Sequence, residues 1–332
     1  MLLAYNTHNQ LVYAKHAVKE ARYECPHCRS RLVLKKGLVK MPHFSHLGQS
    51  SHFCNKGESL EHYNLKYELA TRLSYIGYRV QIEPYIAECY QYPDLIINGR
   101  IAIEIQLSKM TLAHIKKRSH GLLSSGYKLI WIVPDPGYDK ATNIVKLTKY
   151  ERTFIDIKSK QLVVWNLSEK QLYIYQIYHF LGGNRFVAYK TKLTIKGFGF
   201  IFNQSNLVHC VPEMKLSEHT IQQYLNRCRC KHSVKEESLS VIYNLRLSEY
   251  WVCKALGFIY PEQLYIQSHP IYWQLQLIYM LVKKPQELNQ FNKKIVFNYF
   301  YNSENNHLAI VNELIAKFKK SYDEIECNNV QI

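Results

Sequence analysis

The sequence holds no run of about 18 uninterrupted apolar residues, so no segment is suited to cross a bilayer as a helix. Its opening residues, Met1-Leu2-Leu3-Ala4-Tyr5, form too short an apolar run, with no leading charge, to read as a secretory signal. No internal repeat or low-complexity segment stands out, and apolar residues make up 47% of the chain, which argues against disorder. Acidic residues are scarce: 26 Asp and Glu face 43 Lys and Arg, a net charge of +17. These absences point to a globular, membrane-free protein, expected in the cytoplasm. There, nine cysteines read as thiols or metal ligands rather than disulfides.

A length of 332 residues allows about two domains, each able to bury a core. The positive charge is spread along the chain, and 27 tyrosines accompany it. Lys and Arg neutralise phosphates and tyrosines stack on bases, so this composition suits a nucleic acid partner. An AT-rich genome, which favours Lys, Tyr, Asn and Ile codons, would give the same composition.

The most informative stretch is Tyr92-Pro93-Asp94-Leu95-Ile96-Ile97-Asn98-Gly99-Arg100-Ile101-Ala102-Ile103-Glu104-Ile105-Gln106-Leu107. Two apolar runs flank Asn98-Gly99, a strong hairpin signal. A two-residue loop would pair Ile97 with Arg100 and turn Asp94 away from Glu104. A three-residue loop, Asn98-Gly99-Arg100, pairs Ile97 with Ile101 and Asp94 with Glu104. It also gathers Leu95, Ile97, Ile101 and Ile103 on one apolar face, so burial selects the second register. A type I turn closed by a Gly bulge suits that loop. Opposed carboxylates repel unless a cation lies between them, and carboxylate oxygens suit Mg²⁺ or Mn²⁺. The plainer alternative leaves Asp94 at a turn and Glu104 on a solvated edge.

Upstream, Cys25-Pro26-His27-Cys28 forms a CxxC knuckle, followed by His43-Phe44-Ser45-His46 and Cys54. Two thiolates this close can take two corners of a Zn²⁺ tetrahedron, and a distant pair completes it. Five candidates compete for four places. Cys25, Cys28, His46 and Cys54 are favoured because thiolates bind Zn²⁺ tightly. His43 then stands behind the ligands or packs on Phe44. All four positions are filled, so the expected site is structural.

A helix is expected from about Ser59 to Gly77, with Leu65, Leu69, Leu73 and Ile76 as its apolar stripe. Tyr78–Glu83 alternates as a strand, residues 110–123 form a helix, and 128–134 is apolar enough for a buried parallel strand. The Lys116-Lys117-Arg118 cluster reads better as a solvated face than as a phosphate contact. Residues 150–202 look β-rich and 215–332 helical. The Cys228-Arg229-Cys230-Lys231-His232 run reads as core or surface thiols, since no further ligand pairs with it convincingly.

Pro93-Asp94 followed by Glu104-Ile105-Gln106 resembles the PD-(D/E)XK nuclease motif, with Gln106 where the family usually has lysine; Gln stands there in some related nucleases. Together with the cysteines and histidines before it, the segment resembles CoiA-like competence proteins of Gram-positive bacteria. The likeness is recognisable from the N-terminus to Pro134 and diffuse beyond. The resemblance implies a restriction-endonuclease-like αβββαβ core at 58–150. A zinc-binding element would precede it at 1–57, and a C-terminal β-then-α region of unassigned role would follow at 151–332. It further implies an extra acidic ligand at Glu61, catalysis by Asp94, Glu104 and Gln106, structural Zn²⁺ and catalytic Mg²⁺ or Mn²⁺. The expected role is action on DNA in natural transformation and recombination. Single-stranded DNA or recombination intermediates, and possible recombination proteins, would be the partners. A weakly active or inactive DNA-binding mediator, or a restriction-type defence nuclease, is the alternative.

Overall fold

The computed structural model describes residues 3–25, 29–37, 42–47, 60–194, 196–203, 214–231, 236–303 and 306–329. These form two compact units, one of residues 1–132 with 195–197 and the other of 133–194 with 198–332. Among the described residues no helix is long and apolar enough to cross a membrane.

The first unit begins with a small antiparallel sheet. Its strands are β1 (Leu3–Tyr5), β2 (Leu11–Tyr13), β3 (Tyr23–Glu24), β4 (Arg31–Lys35) and β5 (His43–His46), in the order β2-β1-β3-β4-β5. Alternation on β4 buries Leu32 and Leu34, and they join Tyr23, Cys25 and Phe44 in a core of its own. Helix α1 (Leu60–Tyr75) follows and buries Leu65, Leu69 and Leu73. It stops at Gly77, whose φ of +98° suits a residue without Cβ. There Tyr78 N–H reaches back to Leu73 O and Gly77 N–H to Ser74 O, satisfying carbonyls that the helix leaves open.

Next come β6 (Val80–Ile82), β7 (Leu95–Ile97) and β8 (Ile101–Ile105), each antiparallel to the last. Helix α2 (Leu112–Ser124) carries the chain over to β9 (Lys128–Pro134), which pairs with β8 in parallel. Thr111 caps α2 by accepting His114 N–H. Ile115 and Leu122 face inward, but Leu112, expected to join them, is 43% exposed.

The hairpin adopts the three-residue register. Leu95 opposes Ile103, Ile96 opposes Ala102 and Ile97 opposes Ile101. The turn itself differs from the type I expected. Asn98 and Gly99 have φ of +50° and +66°, and Arg100 N–H donates to Ile97 O, as in a primed turn. Arg79 fixes Asn98 there: Asn98 N–H donates to Arg79 O, and Arg79 N–H to Asn98 Oδ1. Strand β8 runs between β7 and β9, and every residue of β7 and β8 is buried. Two buried faces explain why the runs are apolar almost throughout, and they remove the solvated edge as a home for Glu104.

The second unit has a β part and a helical part. Strands β10 (Tyr138–Asp139), β11 (Ile144–Lys146), β12 (Gln161–Asn166), β13 (Gln171–Phe180) and β14 (Arg185–Lys192) lie in the order β10-β11-β14-β13-β12. A short α3 (Lys149–Arg152) precedes β12. Residues Phe198–Asn203, expected to be extended, form helix α4. Helices α5 (Glu218–Arg229), α6 (Glu237–Asn244), α7 (Glu249–Ala255), α8 (Pro270–Lys283) and α9 (His307–Asn329) follow. Their core includes Leu225, Val252, Trp273, Leu277 and Phe318. On α5, Cys228 is buried; Cys230 just beyond it is exposed, and His232 lies outside the described residues.

On β13 a bulge follows Ile177, and His179 then sits opposite Val187. His179 is 5% exposed, and its Nδ1 has no hydrogen-bond partner among the described residues. Burial, reinforced by the charge of Lys160, pushes this imidazole down to about 4. Because the folded value lies below the unfolded one near 6.5, the stabilisation is complete above roughly pH 6.5 and fades as pH falls toward 4. Denaturant titrations of wild type should therefore lose up to about 3 kcal/mol across that window from this group alone. His179→Leu should flatten that part of the profile; an unchanged slope would show that His179 is not the titrating group.

Candidate active site

Asp94 and Glu104 occupy opposed positions at the open end of the β7–β8 hairpin, one step beyond Leu95 and Ile103. Opposed residues of an antiparallel pair share a face and hold their Cβ atoms about 5 Å apart. Both carboxylates are buried, Asp94 at 2% and Glu104 at 1% exposure. An isolated carboxylate at such depth is costly, so the surrounding helices must supply donors.

Helix α1 supplies them to Asp94. Lys66 is fully buried, and its Nζ lies 2.9 Å from Asp94 Oδ1 and 2.7 Å from Glu83 Oε1. His62 Nε2, one turn earlier, is 3.1 Å from Asp94 Oδ1. Asp94 Oδ2 accepts the backbone N–H of Ile105 at 2.8 Å, tying the carboxylate to the next strand. Helix α2 supplies Glu104. Arg118 donates from Nε to Oε1 at 3.1 Å and from Nη2 to Oε2 at 2.5 Å, a forked pair of the stronger charge-assisted kind. Nη2 also reaches Tyr92 O at 3.4 Å. Of the basic cluster on this helix, Lys116 and Lys117 are exposed, while Arg118 turns inward onto the acid.

Gln106 lies on the same face of the chain as Glu104, two residues on, and is 8% exposed. Its backbone N–H extends the pairing with β9 through Ile132 O, and its side-chain amide donates to Ser108 O at 2.5 Å. Glu61 stands in the first turn of α1, half-buried and next to His62. Lys66, Glu83 and Arg118 were not among the expected site residues. For the two cations the signal lay in helix spacing. Lys66 follows His62 by four and precedes Leu69 by three, and Arg118 falls three after Ile115 and four before Leu122. A charge inside an apolar stripe implies a buried partner.

The zinc candidates are only partly within view. Cys28 and Cys54 lie outside the described residues. Cys25 is fully buried, and its carbonyl accepts Arg29 N–H. His46 opposes Leu32, which opposes Tyr23, so His46 shares the face on which the Leu32–Tyr23 core is built. His43 points to the other face of β5, where its ring lies 6.0 Å from that of Tyr63. Among the described residues, no group of three or more His, Cys, Asp or Glu is arranged to hold a metal ion.

Family models now give the context. Residues 58–206 match the nuclease-like domain of competence protein CoiA, and residues 5–55 match its N-terminal domain. The chain belongs to the CoiA-like competence proteins. The competence protein CoiA of Bacillus subtilis (strain 168) is 27% identical over 165 residues, which cover 47% of this chain and 43% of that relative. The match thus spans less than half of the curated relative's length. No solved structure matches the chain.

Lys66 is the central cation of the Glu83–Asp94 cluster, so Lys66→Met should cost about 3–5 kcal/mol in denaturant unfolding by leaving two carboxylates buried against each other. Adding Glu83→Gln should recover part of that loss, with a coupling of roughly 0.5–3 kcal/mol. Additive losses would mean that the three groups do not act as a unit.

Proposed function

We propose that the nuclease-like domain acts on DNA in natural transformation, as a metal-dependent enzyme that cleaves phosphodiester bonds. The observation that carries this reading is the register that sets Asp94 opposite Glu104, with Gln106 two residues on. The order α1, β6–β7–β8, α2, β9 supports a restriction-endonuclease-like core. The donor set fits a hard divalent cation, because Mg²⁺ is commonly held by one or two carboxylates plus substrate phosphates and waters. Asp94 and Glu104 would hold Mg²⁺ or Mn²⁺, with Glu61 as a further acid from α1. When bound, such an ion supplies Lewis acidity toward the phosphate and a hydroxide nucleophile.

The chain's own groups do the rest. Lys66 and Arg118 offset the carboxylate charge and fix both acids through hydrogen bonds. Gln106 can orient water or a phosphate oxygen through its amide but adds no charge, where lysine would. Two observations favour a second reading, a DNA-binding module for recombination that cuts poorly. Gln106 is uncharged, and both acids already have cationic partners of the protein's own.

A plasmid-nicking assay with and without Mg²⁺ decides between them. Metal-dependent nicking should vanish in Asp94→Asn and in Glu104→Gln. These replacements keep acceptors for Lys66 and Arg118, which Ala would strand. DNA binding without nicking in the wild type would select the second reading.

The N-terminal element is proposed to carry one structural Zn²⁺ through Cys25, Cys28, Cys54 and His46. The buried thiol of Cys25 and the placement of His46 over the same core support this set. Metal analysis of native protein should give about one equivalent of zinc. Cys28→Ser should release it and lower the thermal stability of the first unit, since binding energy here is folding energy. Zinc-free native protein would end the proposal.

A further inference from the structure

The segment between β6 and β7 forms a closed loop. Ile86 and Gln91 exchange both backbone hydrogen bonds, Ile86 N–H to Gln91 O at 2.8 Å and Gln91 N–H to Ile86 O at 3.3 Å. Flanking this bridge, Tyr85 and Tyr92 bring their rings to 4.9 Å. Ile86 anchors the loop at 6% exposure, whereas Tyr85 is 51% and Tyr90, beside the bridge, 82% exposed. The loop is seated on α2. Gln91 Nε2 donates to Lys117 O at 3.1 Å, and the pair is so close that a Cβ on Gly121 would fall 2.1 Å from Gln91 Nε2 and 3.0 Å from Cys89 Cβ. A half-exposed aromatic pair on a loop held this firmly is already ordered before any ligand arrives, so little entropy is lost on binding.

Exposed lysines of α2 and the exposed Glu88 of the loop itself surround it, and it leads to the acids. Tyr92 precedes Asp94 by two residues, and its carbonyl accepts Arg118, the partner of Glu104. The Tyr92 phenol also lies within electrostatic reach of Tyr5, Cys25 and Arg29 from the N-terminal sheet. Arg29 sits 4.2 Å from the centre of the Tyr5 ring, and its guanidinium is half-exposed, with Glu24 3.9 Å away as a loose partner. Lys116 and Lys117 are exposed on the turn of α2 that holds the loop. Packing tyrosines for a core would be covered on both faces; Tyr85 is not.

We infer that Tyr85 and Tyr92 form a stacking platform for a single nucleic acid strand leading toward Asp94 and Glu104. Unpaired bases offer their faces to tyrosine rings, and Lys116 and Lys117 suit the phosphates between them. A duplex keeps its bases stacked inside and cannot use the rings. Where the strand leads rests on the reading of Asp94 and Glu104 as the phosphodiester-facing site; the binding itself does not.

The test is fluorescence anisotropy on full-length protein in buffer without chelator or added Mg²⁺, with labelled oligo-dT, oligo-rU and a duplex of equal length. Tyr85→Ala should weaken oligo-dT binding roughly 5- to 150-fold, the range expected for losing one stacked base, and leave duplex binding unchanged. Tyr85→Phe should bind as wild type, and Tyr243→Ala, an exposed tyrosine of the second unit, should have no effect. Equal losses on dT and rU mean that the platform accepts both kinds of single strand; a loss on one alone means that it distinguishes thymidine from uridine strands. Oligo-dT and oligo-rU binding that both ignore Tyr85→Ala would overturn the platform, as would an equal loss on the duplex or a wild type that binds neither single strand. If Tyr85 controls single-strand binding but the wild type never nicks plasmid, the platform stands and the cleavage reading fails.

Discussion

Burying three carboxylates in one small β-sheet unit imposes a demand for positive charge that the rest of the first unit is arranged to meet. Glu83, Asp94 and Glu104 are each at most 4% exposed. Their mutual repulsion in a poorly screened interior would open the sheet unless cations stood between them. Lys66 comes from α1 to join Glu83 and Asp94, and Arg118 comes from α2 to clasp Glu104. The two helices are therefore fixed over the hairpin by charge as well as by apolar stripes. Nothing about stability alone requires such an arrangement, since apolar residues of similar volume often serve as well as buried ion pairs. A cluster retained against that alternative is a candidate for chemistry.

The same cluster supplies positive charge in the CoiA nuclease-like domain, where Gln106 takes the place that lysine usually has in the motif it resembles. The positive charge near the acids comes from helices rather than from the strand that bears the motif. Lys66 reaches Asp94 from 28 residues upstream, and Arg118 reaches Glu104 from 14 residues downstream. The Tyr85–Tyr92 loop is built into this arrangement, because Arg118 bonds the Tyr92 carbonyl and the glutamate with one nitrogen. A change at Arg118 would therefore act on the acid and on the aromatic loop together.

The hairpin was legible because side-chain alternation has a period of two. A slip of one residue would have mixed apolar and polar faces, so the sequence left only one register compatible with burial, and Leu95 opposite Ile103 is that register. The turn was less legible. The three-residue register suggested a type I turn with a bulge, whereas Asn98 and Gly99 take the left-handed φ at both residues that this dipeptide favours, held in place by hydrogen bonds to Arg79. Gly77 as the stop of α1 was readable, since a helix end is a local event. Leu112 and the stretch Phe198–Asn203 were misread where composition was ambiguous between a core-facing and an exposed residue, or between strand and helix.

By itself the sequence determined the pairing of Asp94 with Glu104 and the apolar stripe of α1. Each follows from periodicity within one or two adjacent segments, where the backbone geometry fixes which residues share a face. Only the tertiary structure decided that both acids are buried, that Lys66 and Arg118 are their counter-charges, and that Tyr85 and Tyr92 meet beside them. Burial depends on strands and helices far apart in the chain, and long flexible cations such as Lys and Arg take their direction from whatever charge the fold brings within reach.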